Sequence, residues 1–216
     1  RGLEVFLCRA RSGSFRREGS TQTQPIVDPP RKSPRPRPAR ALRGHSSEPP
    51  PTTGVLREVA SLRCGPREGQ GWAVELELVD VGSVPKLDAK SASYQPYLET
   101  IDAVVVVLDA TKTAVRFRQD EVEKTKRLLH TMAREPELRG KPFLVLANKC
   151  DRQDALTVEE VVDSFGLGDA MRGRAWHLQR CSAVTAEGLQ AACSWLTLRL
   201  LEEARPEMHG VGSGGL

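Results

Sequence analysis

The chain has 216 residues, 39% of them hydrophobic, which suits one α/β domain of ordinary size beside an irregular segment. Residues 1–50 hold eleven Arg and Lys against four Asp and Glu, a balance of +7; the whole chain carries +4, so the remainder carries −3. No apolar run approaches the roughly 20 residues of a membrane span, no signal peptide is readable, and five scattered cysteines without a C-x-x-C pair fit a reduced cytoplasmic chain, not a disulfide framework.

In chain order, Leu3–Cys8 is a short apolar run that reads as a strand. Residues 1–15 are thus a first strand and the loop after it. Residues 16–50 are rich in Arg, Ser and Pro with no hydrophobic period, and read as a solvated basic arm. We expect no specific nucleic acid partner for it. Val55–Cys64 and Ala73–Val79 are strands joined through the breaker-rich Gly65–Gly71, so they should form a hairpin. Ala103–Leu108 is apolar without alternation, as in a parallel strand buried on both faces. Arg118–Met132 has helical spacing, and Pro142–Ala147 is a second buried strand. Thr157 and Glu160 form a capping box that opens a helix. Ala175–Arg180 is a further strand, and a last helix is expected over 186–203, with Leu189, Cys193, Leu196 and Leu200 on one stripe. Residues 205–216 form a tail.

Strands alternating with helices predict an α/β fold with a doubly wound, mostly parallel sheet. Ligands in such sheets sit beyond the carboxyl ends of the strands. The chemistry should therefore follow Val79, Leu108, Ala147 and Arg180. Directly after Pro142–Ala147 stands Asn148-Lys149-Cys150-Asp151. Guanine presents an N1–H and an exocyclic N2–H₂ side by side, and a carboxylate can accept both. Asp151 suits that role. The Lys149 stem can lie over the base, and the Asn148 amide can tie neighbouring loops. Cys181-Ser182-Ala183 follows the Ala175–Arg180 strand; a loop of small residues there lets a backbone N–H, that of Ala183, approach the guanine O6.

From the stretch beginning Ala147-Asn-Lys-Cys-Asp151 through Trp176 to Cys181-Ser-Ala183, the chain resembles the closing third of Arf-like (ADP-ribosylation-factor-like, Arf/Arl) small GTPases. Asp80-Val81-Gly82 is similar to that family's second switch, and Pro51-Thr52-x-Gly54 to its first. The resemblance covers about 51–203 and implies a P-loop-GTPase-like G domain over 51–204. It further implies GTP/GDP and Mg²⁺ as cofactors. Thr52 would meet the metal through its hydroxyl, Asp80 would hold a magnesium water, and the Gly82 N–H would sense the γ-phosphate. Partners implied are effectors and exchange and activating proteins, with peripheral contact at internal membranes and a role in trafficking.

Two departures stand against that pattern. Where the family's second switch continues with glycine and a water-orienting glutamine, this chain has Ser83 and Val84; valine cannot hydrogen-bond a water, so hydrolysis is expected to be impaired and the catalytic residue is unknown. Nor does the phosphate-binding string G-x-x-x-x-G-K-[ST] occur anywhere in residues 1–216. One reading is a decayed loop at 9–15, with Arg9 and Arg11 supplying charge and Ser14 the hydroxyl. The other is a true loop missing from the sequence through truncation or a gene-model error. The rival to a working switch is a pseudo-GTPase interaction module that keeps the fold and binds nucleotide weakly.

Overall fold

A computed structural model describes residues 3–10, 16–18, 56–67, 70–80 and 98–208. Among them, seven strands form one sheet: β1 (Leu3–Ala10), β2 (Arg16–Glu18), β3 (Leu56–Arg67), β4 (Gln70–Asp80), β5 (Ala103–Asp109), β6 (Phe143–Asn148) and β7 (Trp176–Arg180). The helices are α1 (Lys112–Phe117), α2 (Gln119–Arg134), α3 (Val158–Phe165), the single turn α4 (Leu167–Ala170) and α5 (Leu189–Met208). The order across the sheet is β2-β4-β1-β5-β6-β7, with β3 on the other side of β4. No helix among the described residues is long and apolar enough to cross a membrane.

The α/β class expected from the alternating pattern is met, but the sheet is mixed, not mostly parallel, because β1 and the β3–β4 hairpin pair antiparallel. β5, β6 and β7 are parallel, in continuous register from Val104↔Phe143 to Asp109↔Asn148 and from Phe143↔Trp176 to Ala147↔Arg180. The rest of the sheet is antiparallel: β3 on β4, β2 on β4, and β1 on both β4 and β5. The missing alternation in β5 has the expected cause, since both its faces are covered. Val104, Val106 and Leu108 pack with Val5 and Leu7, Leu129 and Met132 of α2, and Val161 and Phe165 of α3. Ala103 and Val105 pack on the other face with Val74 and Leu76 and with Ala192, Leu196 and Leu200 of α5.

Three local differences from the sequence reading have physical reasons. The hairpin strands run through much of the expected turn, because the chain absorbs Gly65 and Pro66 as an irregularity between Cys64 and Arg67 and goes on pairing, Arg67↔Gln70. The helix expected over Arg118–Met132 is met by α2, but a further helix, α1, precedes it, opened by Thr111, whose side chain accepts the Ala114 N–H at 3.2 Å. The last helix starts at Leu189, not 186, because Ala186 and Gly188 have φ of 62° and 73°, outside helical geometry. The capping box of α3 is present in both directions: Glu160 N–H to Thr157 Oγ1 at 3.2 Å and Thr157 N–H to Glu160 Oε2 at 2.8 Å.

Candidate functional site

The carboxyl ends of β5, β6 and β7 bring Asp109, Asn148 and Arg180 to one edge of the sheet. The ladder continues past β6 and β7: Cys181 N–H donates to Ala147 O at 2.9 Å and Cys150 N–H to Cys181 O at 3.0 Å. That bond locks the turn after β6 to the loop after β7. Asn148 closes the same junction with its side chain. Its Oδ1 accepts the Lys149 N–H at 2.8 Å and the Ala183 N–H at 3.0 Å. The tie between loops expected of Asn148 is therefore present in the geometry. The Ala183 N–H, expected to approach guanine O6, is donated to Asn148 instead.

Lys149 has φ 74°, a left-handed conformation that costs a residue with Cβ about 1–2 kcal/mol. Both ends of the residue are held: its N–H by Asn148, and its ammonium by Asp109 Oδ2 at 2.8 Å. Asp109 is buried, and its other oxygen accepts the Thr111 hydroxyl at 2.9 Å. Asp151 is exposed at the tip of the turn. Ser182 is fully buried; its Oγ accepts the Val184 and Thr185 N–H groups, both at 3.2 Å, and so shapes the loop. Gly188 closes that loop: a Cβ there would sit 2.1 Å from the Arg180 carbonyl oxygen.

Several of these residues escaped the sequence reading. Asp109 had a signal, a lone carboxylate ending an apolar strand. Thr111, Thr113 and Asp154 did not. Asp154 accepts the Thr113 hydroxyl at 2.5 Å and Arg152 Nε at 2.9 Å. Those bonds, Thr113 first, bring its carboxyl down to about 2. Burial, then the nearby Cys150, pushes the Cys181 thiol up to about 11, so it stays protonated in neutral solution. Cys150 is raised as well, by desolvation first and then by the Glu187 carboxylate.

The opposite half of the sheet is built differently. β1 lies between β4 and β5 but runs antiparallel to both, from Leu3↔Leu108 to Cys8↔Ala103. Ala10 N–H is fixed at the far end by Asp102 Oδ2 at 2.7 Å, and Arg9 pairs in register with Glu77. Cys8, two residues before the end of β1, already lies about 20 Å from Asp109, six rises of ~3.3 Å along β5. This corrects the decayed-loop reading as far as Arg9 is concerned: it stands at the opposite end of the sheet from Asn148. Arg11 and Ser14 lie outside the described residues, as do Thr52, Gly82, Ser83 and Val84. Asp80, the last residue of β4, pairs in register with Phe6 and Leu56, and Phe6 with Val105. β4 thus runs toward the Asp109 end of the sheet but stops level with Val105, four residues short of Asp109. No group of three His, Cys, Asp or Glu among the described residues is arranged to hold a metal.

Residues 55–200 match the model of the ADP-ribosylation factor family, Arf. The chain belongs to the Arf family. It is 33% identical over 117 residues to ADP-ribosylation factor K of Dictyostelium discoideum, an alignment covering 54% of this chain and 57% of that one. It is 35% identical over 104 residues to ADP-ribosylation factor-like protein 3 of Caenorhabditis elegans, covering 48% and 53%. With ADP-ribosylation factor-like protein 15 of Bos taurus the identity is 36% over 107 residues, half of each chain. The Arf-family chain thus spans about half the length of the curated relatives it matches. The fold is similar to that of the Arl6 BBS3 small GTPase from Trypanosoma brucei, solved with the nucleotide analogue GppNp, at TM-score 0.53 and 21% identity, covering 73% of this chain and 86% of that one. β1 and β2 fall outside the residues that match the family.

Proposed function

We propose that this Arf-family chain binds a guanine nucleotide and works as a switch whose partner binding follows the nucleotide state. One observation carries the reading: the turn Asn148–Asp151 is tied to Ala183 on one side and to Asp109 on the other, with the Asp151 carboxylate left exposed at its tip. A carboxylate so held can accept the paired N1–H and N2–H₂ of guanine; adenine has no such pair. Binding of the guanine O6 at Ala183 would exchange with the bond that its N–H makes to Asn148. Mg²⁺ would be held through Thr52 and Asp80, with Gly82 toward the γ-phosphate. Effectors, exchange and activating proteins, and a place in trafficking at internal membranes are the family-level part of the proposal.

Calorimetric titration with GDP and ADP tests it. The parent chain is expected to prefer GDP, and Asp151→Asn to weaken GDP by about 2–4 kcal/mol, because a charge-assisted pair is lost and an amide donor faces a donor. Equal affinity for GDP and ADP in the parent would overturn the reading.

A second reading, an interaction module of the same fold with weak or no nucleotide turnover, is favoured by the direction of β1, which takes Arg9 away from the site. Val84 in place of a water-orienting glutamine points the same way.

A further inference from the structure

A carboxylate at the end of a strand buried on both faces must find partners or be neutralised. Asp109 has two, the Thr111 hydroxyl at 2.9 Å and the Lys149 ammonium at 2.8 Å. The two ends of this ion pair are unlike: the Asp109 side chain is 6% exposed, that of Lys149 40%. So Asp109 is the fixed member, set on the sheet and oriented by Thr111, and Lys149 is the member being aimed. Thr111 is itself fixed, as it caps α1 through the Ala114 N–H. Register places Asp109 directly beside Asn148, one residue before Lys149. The Lys149 side chain therefore leaves a left-handed residue and reaches the neighbouring strand, its stem held at both ends.

We propose that Asp109 is a positioning residue for the base: by clamping the Lys149 ammonium it presets the lysine stem as the platform on which a purine lies. The inference rests on the guanine reading above and separates two tasks within it. Asp151 chooses the purine; Asp109 and Lys149 set how tightly any purine is held. A free lysine would have to be ordered at the moment of binding, and each immobilised long side chain weakens association roughly three- to tenfold. A mere stabilising pair would act differently: its loss would lower folding stability and leave the ordering of a base unchanged.

The test uses the full chain with Asp109→Asn, Lys149→Met, the double variant and Asp151→Asn, each titrated with GDP and with inosine diphosphate, which lacks the N2 amine. Asp109→Asn is expected to weaken both ligands by the same factor, about three- to tenfold, leaving their ratio unchanged. Lys149→Met should do the same and the double variant no more, because both act through one stem. Asp151→Asn should instead collapse the ratio. A ligand-free arm stands apart from nucleotide binding: acylation of Lys149 followed by peptide mass spectrometry, expected to be slow in the parent and faster in Asp109→Asn. Unchanged acylation, or a double variant that loses the product of the single effects, would overturn the positioning role. A parent that does not distinguish GDP from ADP, with acylation still responding to Asp109→Asn, would overturn the guanine reading and leave the clamp standing.

Discussion

The two halves of the sheet are built on opposite principles. In β5, β6 and β7 every strand runs the same way, so every carboxyl end reaches one edge and short loops there meet side by side. In β1, β2, β3 and β4 the pairs are antiparallel, and neighbouring strands deliver their ends to opposite edges. A base can be recognised by three or four adjacent side chains, which on the proposed reading the parallel half would supply. A phosphate chain needs a run of backbone N–H groups at the start of a helix or in a tight nest. That depends on which way the preceding strand points. The antiparallel β1 thus separates two abilities that a single nucleotide ligand would draw on together.

The comparison can be broken most severely at Gly188. Its φ of 73° and the 2.1 Å approach of a hypothetical Cβ to the Arg180 carbonyl leave no room for any side chain. Gly188→Ala is expected to cost about 3 kcal/mol and to unseat the Ser182–Glu187 loop. Urea unfolding followed by far-ultraviolet circular dichroism measures it; a loss under 1 kcal/mol would mean that the Ser182–Glu187 loop is not tied to the parallel half as described. A phosphate series sharpens the contrast between the halves. Guanosine, GMP, GDP and GTP should differ by less than about tenfold, ~1.4 kcal/mol, because β1 carries Arg9 to the far edge. An affinity climbing by several kcal/mol from guanosine to GDP would place a working cradle beside Asp109 after all. The smallest effect belongs to the capping box. Thr157→Ala should destabilise by about 1 kcal/mol, read as a lower Tm, without changing nucleotide preference, since α3 packs beneath the site and contributes no group to it.

How much of this was legible depended on range. Asn148, Lys149 and Asp151 announce themselves because four consecutive residues after an apolar run carry the pattern. The helix start at Thr157 was legible for the same reason: capping is a matter of three residues. Asp109 was half legible, as a carboxylate at the end of Ala103–Leu108, but its partner Lys149 is 40 residues away and nothing local names it. The direction of β1 was not legible at all. Val5 and Leu7 face one core cluster and Cys8 the other, and an apolar run buried on both faces has the same pattern read either way. Only the register with β4 and β5 gives it a direction. The late start of α5 was hidden because the sequence shows Ala186 as a good helix former, while its φ is set by the closure of the loop onto Ser182 N–H, which donates to Glu187 O at 3.0 Å.

The turn after β6 does not end at Asp151. Lys112 N–H donates to Asp154 O at 2.7 Å, Leu156 N–H to Ala110 O at 2.9 Å, and Thr113 reaches Asp154 with both backbone and hydroxyl. With the Lys149–Asp109 pair, the segment 149–156 is stitched to 109–113 along its length. Such a seam cannot open one stitch at a time, because each bond holds the geometry of the next. It behaves as a single cooperative unit, closed or open as a whole. The start of α1 and the turn after β6 therefore share one opening equilibrium, and whatever steadies the turn steadies the first helix after β5 to the same degree.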